Sequence, residues 1–154
     1  MAKNQTEPEA PVDEYVPDAG SESAEAVIDV PVDDAVELQS VSPGEYRLRI
    51  VDASMAKSLK TGGMYLNARL EICEQPFTKD ITHILMFPAS DDDAKKANNR
   101  KLALRNFYQA FGIDFSRPVA IGVLKGREAW AVLKEEEDPE YGMNNRVKKW
   151  VVGA

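Results

Sequence analysis

The chain has 154 residues, a length that suits one domain or a smaller domain joined to a tail. Its single cysteine and single histidine, Cys73 and His83, exclude an intrachain disulfide and most structural zinc sites, so we expect no metal and no other cofactor. No apolar run approaches the roughly 20 residues of a membrane-spanning helix, and residues 1–5 lack an apolar signal core. The composition therefore predicts a protein of a reducing cell interior, with no membrane contact and no secretion.

Charge is distributed unevenly along the chain, whose formal net charge is −7. Residues 1–40 carry eleven acidic residues and one base, a net charge of −10, whereas residues 41–154 carry eighteen bases and fifteen acidic residues, a net charge of +3. The first segment holds four prolines and one aromatic residue, Tyr15. Because it can bury too little apolar surface to offset its ordering entropy, we predict a disordered acidic arm over residues 1–40. Its apolar stretch, residues 27–32, is a docking motif, a loosely added strand or part of a solvated tail.

From Gly44 the pattern changes to the alternation of half-buried strands. A first strand is followed by a polar loop over residues 53–63, a second strand ends at residues 74–76, and a third spans residues 80–87 before Pro88. The residues of the first two strands that are predicted to face the core are Tyr46, Leu48, Ile50, Leu66, Ala68, Leu70 and Ile72.

One amphipathic helix of about 20 residues is predicted after the third strand. Ser90 is its expected N-cap, and Asp91, Asp92 and Asp93 would occupy the first turn, where negative charge suits the helix dipole. Gly112 is expected at the C′ position, just after the last helical residues.

The remaining strands complete a recognisable order. Residues 119–124 and 128–133 predict either one long bent strand or a tight hairpin around Gly126, followed by a loop over residues 135–145 and a last strand over residues 146–152. Three strands, a helix and two strands is the order of the OB-fold, a five-stranded Greek-key barrel with its helix between strands three and four. A small antiparallel sheet with one helix shares part of this pattern, but the polar loops after strands one and four favour the barrel over residues 41–154.

The outward side of the first two strands carries Arg47, Arg49, Tyr65, Asn67 and Arg69. Proteins hold single-stranded nucleic acid with cations that follow the phosphates and with aromatic rings on which bases stack. The pattern therefore predicts an oligonucleotide-binding platform, the alternative being a merely solvated face. Further candidates in the loops and later strands are Lys57, Lys60, Trp130, Tyr141, Lys148 and Trp150.

Trp130 and Trp150 are each either core residues or base-stacking residues, because a lone tryptophan in a small barrel usually belongs to the core. His83 is expected to be structural. Nothing in the pattern reads base identity, so binding with little sequence preference and strong salt dependence is predicted. Oligomeric state and the choice between DNA and RNA are left open.

Enzymatic motifs are missing from the sequence: it has no phosphate loop, dinucleotide fingerprint, H-E-x-x-H or G-x-S-x-G. Ser54-Met55-Ala56-Lys57 and Lys60-Thr61-Gly62 match two motifs of penicillin-binding enzymes, but here both lie in one short polar stretch without the third motif, S-D-N. The sequence therefore predicts a protein that is not an enzyme.

Short segments within residues 42–152 share the pattern of a known family. They are Gly44-Glu45-Tyr46-Arg47, Lys60-Thr61-Gly62-Gly63, residues 66–70, residues 104–112 and Asn144-Asn145-Arg146-Val147 with Trp150. Together they resemble small bacteriophage-encoded single-stranded DNA-binding proteins of the OB type. The resemblance implies a role in DNA replication or recombination in the cytoplasm of the host bacterium, with replication or recombination proteins as partners of the acidic arm. Bacterial single-stranded DNA-binding proteins carry their acidic tail at the C-terminus, so recruitment by a C-terminal acidic tip is not implied here.

We therefore expect a protein that coats single-stranded DNA, with the arginines on phosphate and with Tyr65, Trp130 and Trp150 stacking on bases. The alternative is a protein-interaction or virion structural module that docks through its acidic arm. The net charge of +3 on residues 41–154 is modest for a nucleic-acid binder and keeps that alternative open.

Overall fold

The structure is a computed structural model that describes residues 25–152 of the chain. Its elements, in chain order, are β1 (Gly44–Lys57), β2 (Met64–Ile72), β3 (Ile81–Met86), helix α1 (Ala94–Ala110), a 3₁₀ turn (Ile121–Val123), β4 (Glu128–Asp138) and β5 (Gly142–Val151). The strands form one open antiparallel sheet in the order β3-β2-β1-β4-β5. The prediction of a mainly β domain of five strands, with its helix between the third and fourth, is confirmed.

The core lies between one face of the sheet and helix α1. Phe107 and Phe111 of the helix are buried, with ring centroids 4.8 Å apart. A β-bulge between Ile50 and Asp52 shifts the alternation of β1 by one residue, so that Ala53, opposite the buried Ala68, follows Ile50 on the core face. The sheet side of the core contains Leu48, Ile50, Leu66, Ala68, Leu70 and Ile72, as predicted, and Tyr46 packs against it partly buried.

Helix α1 begins later than predicted. Its N-cap is Asp93, whose Oδ1 accepts the Lys96 N–H at 2.8 Å. Asp92 points back to the Ala89 N–H at 2.9 Å, and this hydrogen bond holds the pKa of Asp92 below its ordinary value. Ser90 as the N-cap is therefore wrong, and so is the placement of Asp91, Asp92 and Asp93 in the first turn, because Asp93 is itself the cap and the residues before it form a separate turn closed by Asp92.

The C-terminal end of the helix confirms the prediction for Gly112. This residue has φ of 66°, a left-handed conformation that favours glycine. Its N–H bonds to the Gln109 carbonyl at 3.2 Å, and the next N–H, of Ile113, bonds to the Tyr108 carbonyl at 2.9 Å. These two bonds form a Schellman motif, which satisfies carbonyls that the helix itself leaves free.

The strand predicted over residues 119–124 is wrong. Ile121 and Leu124 stand three residues apart and both pack on the core, a spacing that suits the observed 3₁₀ turn. The loop after β1 is also shorter than predicted, since β1 continues to Lys57.

The loop predicted over residues 135–145 is wrong as well, because β4 and β5 stay paired as far as Asp138 and Gly142. Asp138 Oδ1 accepts the N–H groups of Glu140 and Tyr141 at 2.8 and 3.0 Å, which closes a short turn. The run of acidic residues before this turn lies on an extended strand rather than in a loop.

Residues 25–35 form a unit of their own, exposed to solvent and without strands. The rest of the predicted arm, residues 1–24, lies outside the described residues. A second unit begins at Val36 and contains the sheet. There, the buried Asn145 side chain bonds to both the N–H and the carbonyl of Val41, each at 2.9 Å. Ser40 Oγ also donates to Glu135 Oε2 at 2.8 Å, so the residues on both sides of the predicted boundary are joined to the β4–β5 hairpin.

Candidate nucleic-acid interface

The sheet face opposite the core carries the predicted platform. Antiparallel partners share a face, and the register places Trp130 opposite Arg47, and Arg69 opposite Asp52. We call this surface the outer face. Its side chains considered below are Arg47, Arg49, Tyr65, Asn67, Arg69, Glu71, Glu128 and Trp130.

Carboxylates neutralise the arginines of β1. Arg47 Nη2 lies 2.9 Å from Glu74 Oε2, and Arg49 Nη1 lies 2.9 Å from Glu71 Oε2. Glu128 lies between the two arginines, 3.6 Å from Arg47 Nε and 3.2 Å from Arg49 Nε. The hydrogen bond to Glu128 raises the pKa of Arg49 above its ordinary value, because the carboxylate stabilises the charged guanidinium. The centre of the outer face is therefore a network of mixed charge.

The β2 half of the outer face is less neutralised. Arg69 pairs with Asp80 at 3.4 Å, and its side chain is more than half exposed. Asn67 Oδ1 is buried and has no hydrogen-bond partner among the described residues. Tyr65 lies near the start of β2, half-buried, opposite Met86 of β3. This half offers one guanidinium, one amide and one aromatic ring on the same side of a strand.

Trp130 is an exposed aromatic residue of the outer face. Its relative exposure is 49%, although large apolar side chains usually pack inside. It borders a cleft of about 230 Å³ that Tyr46, Arg47 and Glu74 also line. This position agrees with the base-stacking alternative for Trp130.

Trp150 lies on the opposite face, because its register partner Ala131 is buried in the core. Its ring centroid is 4.9 Å from that of Phe111, 5.7 Å from that of Phe107 and 5.3 Å from that of His83. This position agrees with the core alternative for Trp150. Burial lowers the pKa of His83 to about 4, so its imidazole is neutral and acts as a packing ring.

The remaining candidates are scattered. Lys57 ends β1 and Lys60 follows it in the β1–β2 loop, which adjoins Met86 at the end of β3. Tyr141, 69% exposed, lies in the β4–β5 turn. Its backbone carbonyl accepts a hydrogen bond from Nζ of Lys79, a residue just before β3. Lys148 lies on β5 beside the groove between β3 and β5. The structure therefore does not bring these residues together with one another.

The acidic partners are the functional residues that sequence reasoning missed. Glu71 carries a local signal, since it stands two residues after Arg69 and period-two alternation puts both on one face. Glu128 carries no local sequence signal, because it lies 79 residues after Arg49 and meets it only through the register of β1 with β4.

Residues 28–145, about three quarters of the chain, match the family described as "Protein of unknown function (DUF669)". The chain belongs to the DUF669 family. The matched region of this DUF669 protein includes the outer face and helix α1. No curated protein matches the chain. Across residues 25–152, no helix combines the length and the apolar composition that crossing a membrane requires.

Proposed function

We propose that this DUF669 protein binds single-stranded DNA with little sequence preference, through the outer face. The observation that carries this function is the half-exposed Trp130 beside Arg47, on the same sheet face as Arg49, Arg69 and Tyr65. Aromatic rings stack on any base, and guanidinium groups bind phosphate in a bidentate manner. A single strand that crosses this face would meet both kinds of contact.

The carboxylates on the outer face are compatible with this function. Exposed ion pairs contribute little to stability, because water screens the charges and both side chains lose rotamer freedom. Phosphates of an incoming strand can therefore replace Glu71, Glu74 and Glu128 on the arginines. The carboxylates weaken binding and hold the guanidinium groups in place while no strand is bound.

We further propose that the sheet belongs to an OB-fold barrel. The order β3-β2-β1-β4-β5 becomes the OB ring when β3 and β5, its two edges, meet. The contact between His83 of β3 and Trp150 of β5, with ring centroids 5.3 Å apart, supports this closure. OB-folds bind oligonucleotides on the faces of strands two and three, the region of Tyr65, Asn67 and Arg69.

The proposed setting follows from the resemblance to bacteriophage proteins. The protein would coat strands exposed in phage DNA replication or recombination, in the cytoplasm of the host bacterium. It would act without catalysis and without a cofactor, and its acidic arm would contact replication or recombination proteins.

Binding of a labelled single-stranded oligonucleotide to the full chain, at two salt concentrations, tests this function. We expect affinity to fall as salt rises, with a slope of about −0.7 for each phosphate contacted. Tyr65→Ala should lower affinity about fivefold or more, because one stacked base is lost. Arg69→Ala should lower both affinity and the salt slope, whereas Arg105→Ala, an exposed arginine of helix α1, should change neither. Equal losses in R69A and R105A would contradict binding through the outer face.

The second candidate function is a protein-interaction or virion structural module. The neutralised arginines of β1 favour it, because a face of mixed charge attracts a polyanion weakly. Purification of the full chain from infected cells separates the two functions: nucleic acid and replication proteins support the first, and capsid proteins support the second.

A further inference from the structure

A groove runs along the free edge of β3. Two adjoining cavities form it, of about 420 and 350 Å³, and Leu85 and Ala103 line both. The first lies between β3 and helix α1, and the second extends to Val147 and Trp150 of β5. Within residues 25–152, β3 pairs with β2 alone and forms an edge of the sheet. Beyond the contact of His83 with Trp150 of β5, the backbone groups on its other side bond to no strand among the described residues and are open to a further strand.

The rim of this edge groove is positively charged. Lys95 and Lys96 stand on the α1 side, and Lys148 and Lys149 stand on the β5 side. Asp93 is the one acidic side chain among the described residues that line the two cavities. An extended peptide that alternates aliphatic and acidic side chains would match the free strand edge, the apolar floor and the cationic rim together.

The chain itself contains such a peptide, in residues 27–34. Ile28, Val30 and Val32 alternate with Asp29, Pro31 and Asp33. The three aliphatic side chains are 91%, 66% and 72% exposed, respectively. In a strand, consecutive residues direct their backbone groups to opposite edges. Pro31, which has no N–H, would therefore not interrupt pairing through Ile28, Val30 and Val32.

We propose that residues 27–34 of one chain dock in the edge groove of a second copy. The segment would add a strand to β3, place Ile28, Val30 and Val32 on the apolar floor, and bring its aspartates to the lysines of the rim. Gln39, which pairs with Thr78, is the seventh residue after Val32, and seven residues span at most about 25 Å. The segment can therefore reach beyond its own sheet unit to a neighbouring molecule.

Sedimentation equilibrium of the full chain without nucleic acid tests this docking. We expect association that increases with protein concentration and weakens with salt. Val30→Asp should raise the dissociation constant about tenfold or more, because it puts a charge on the apolar floor. Val27→Asp, the same change at an exposed valine of the opposite alternation phase, is the matched control and should have little effect.

Ala103→Glu tests the groove from the other side. Ala103 is exposed on helix α1 and glutamate is a strong helix former, so the helix should persist while the groove is filled and made acidic. The matched control is Asn98→Glu, at an exposed helix position that lines neither cavity. A Lys148→Glu, Lys149→Glu double variant provides an independent change of the rim.

Mixing V30D with A103E distinguishes docking between copies from every other cause. At a protein concentration between the dissociation constants of the wild type and of the variants, each variant alone should be mostly monomeric. The mixture should associate, because the A103E chain supplies an intact segment and the V30D chain an intact groove. Monomeric wild-type protein at every concentration, equal effects of V27D and V30D, or a mixture that stays monomeric would overturn the docking. It would also be overturned if A103E and the rim variant lowered oligonucleotide affinity and left association unchanged, since the groove would then belong to nucleic acid.

Discussion

At the scale of single residues, Glu128 controls the charge of the outer face. It contacts both Arg47 and Arg49, so its removal takes one carboxylate from each guanidinium and leaves each with its other partner, Glu74 or Glu71. We expect Glu128→Gln to raise affinity for single-stranded DNA about two- to fivefold and to steepen the salt dependence, because phosphate no longer competes with this carboxylate. Fluorescence anisotropy at two salt concentrations measures both. Unchanged or weaker binding by E128Q would mean that the two arginines do not contact phosphate.

His83 gives the fold a pH dependence. Its pKa is about 4 in the folded protein, below the ordinary value of 6.5, because burial disfavours the charged ring. The unfolded chain therefore binds the proton more readily, and stability is lost as pH falls from about 6.5 to about 4, then levels off. We expect the free energy of unfolding to be about 2 kcal/mol lower at pH 5 than at neutral pH.

Urea unfolding of the wild type and of His83→Phe at the two pH values measures this contribution. Phenylalanine keeps a ring beside Phe107 and Trp150 but cannot be protonated. The H83F variant should lose most of the pH dependence in this range. If it retained the full dependence, the titrating group would lie elsewhere.

At the scale of elements, the start of helix α1 depends on Asp93. The structure assigns the N-cap to Asp93, three residues after Ser90. Asp93→Ala should therefore lower the free energy of unfolding by about 1 kcal/mol, since the Lys96 N–H loses its acceptor. Ser90→Ala should change it by less than about 0.5 kcal/mol, as surface substitutions away from caps do. Chemical denaturation measures both variants, and a larger loss in S90A would return the N-cap to Ser90.

Elements with local patterns were predictable from the sequence. The buried alternation of β1 and β2 follows from period two, and the helix end follows from Gly112. The β4–β5 hairpin was missed because its run of acidic residues and Pro139 resembles a loop, and only cross-strand pairing makes it extended. The 3₁₀ turn at residues 121–123 was missed because a short apolar run fits a strand equally well.

The candidate site was predictable in part, for the same reason. Period two correctly groups Arg47 and Arg49, and separately Tyr65, Asn67 and Arg69. Whether each tryptophan faces the core depends on the registers of β1 with β4 and of β4 with β5, which join residues far apart in sequence. The pairing of Glu128 with the arginines depends on the same long-range register.

At the scale of the whole molecule, the net charge of −7 combines −10 on residues 1–40 with +3 on residues 41–154. Of the eighteen bases of the second segment, three arginines lie on the outer face, where carboxylates neutralise them, and four lysines lie on the rim of the edge groove. The outer face and the edge groove have no side chain in common, although Ile84 and Met86 of the groove stand opposite Asn67 and Tyr65 in the sheet. Nucleic-acid binding and self-association can therefore be disrupted by separate substitutions.

The most direct test of DNA binding by the outer face uses tryptophan fluorescence. The chain has two tryptophans, so Trp150→Phe leaves Trp130 as the one emitter, and Trp130→Phe leaves Trp150. Each full-length variant is titrated with a single-stranded thymidine homopolymer at low and high salt. We predict strong quenching in W150F that is weakened by salt, because a base stacks on Trp130, and little quenching in W130F. An unquenched W150F, or equal quenching in the two variants, would contradict binding through the outer face.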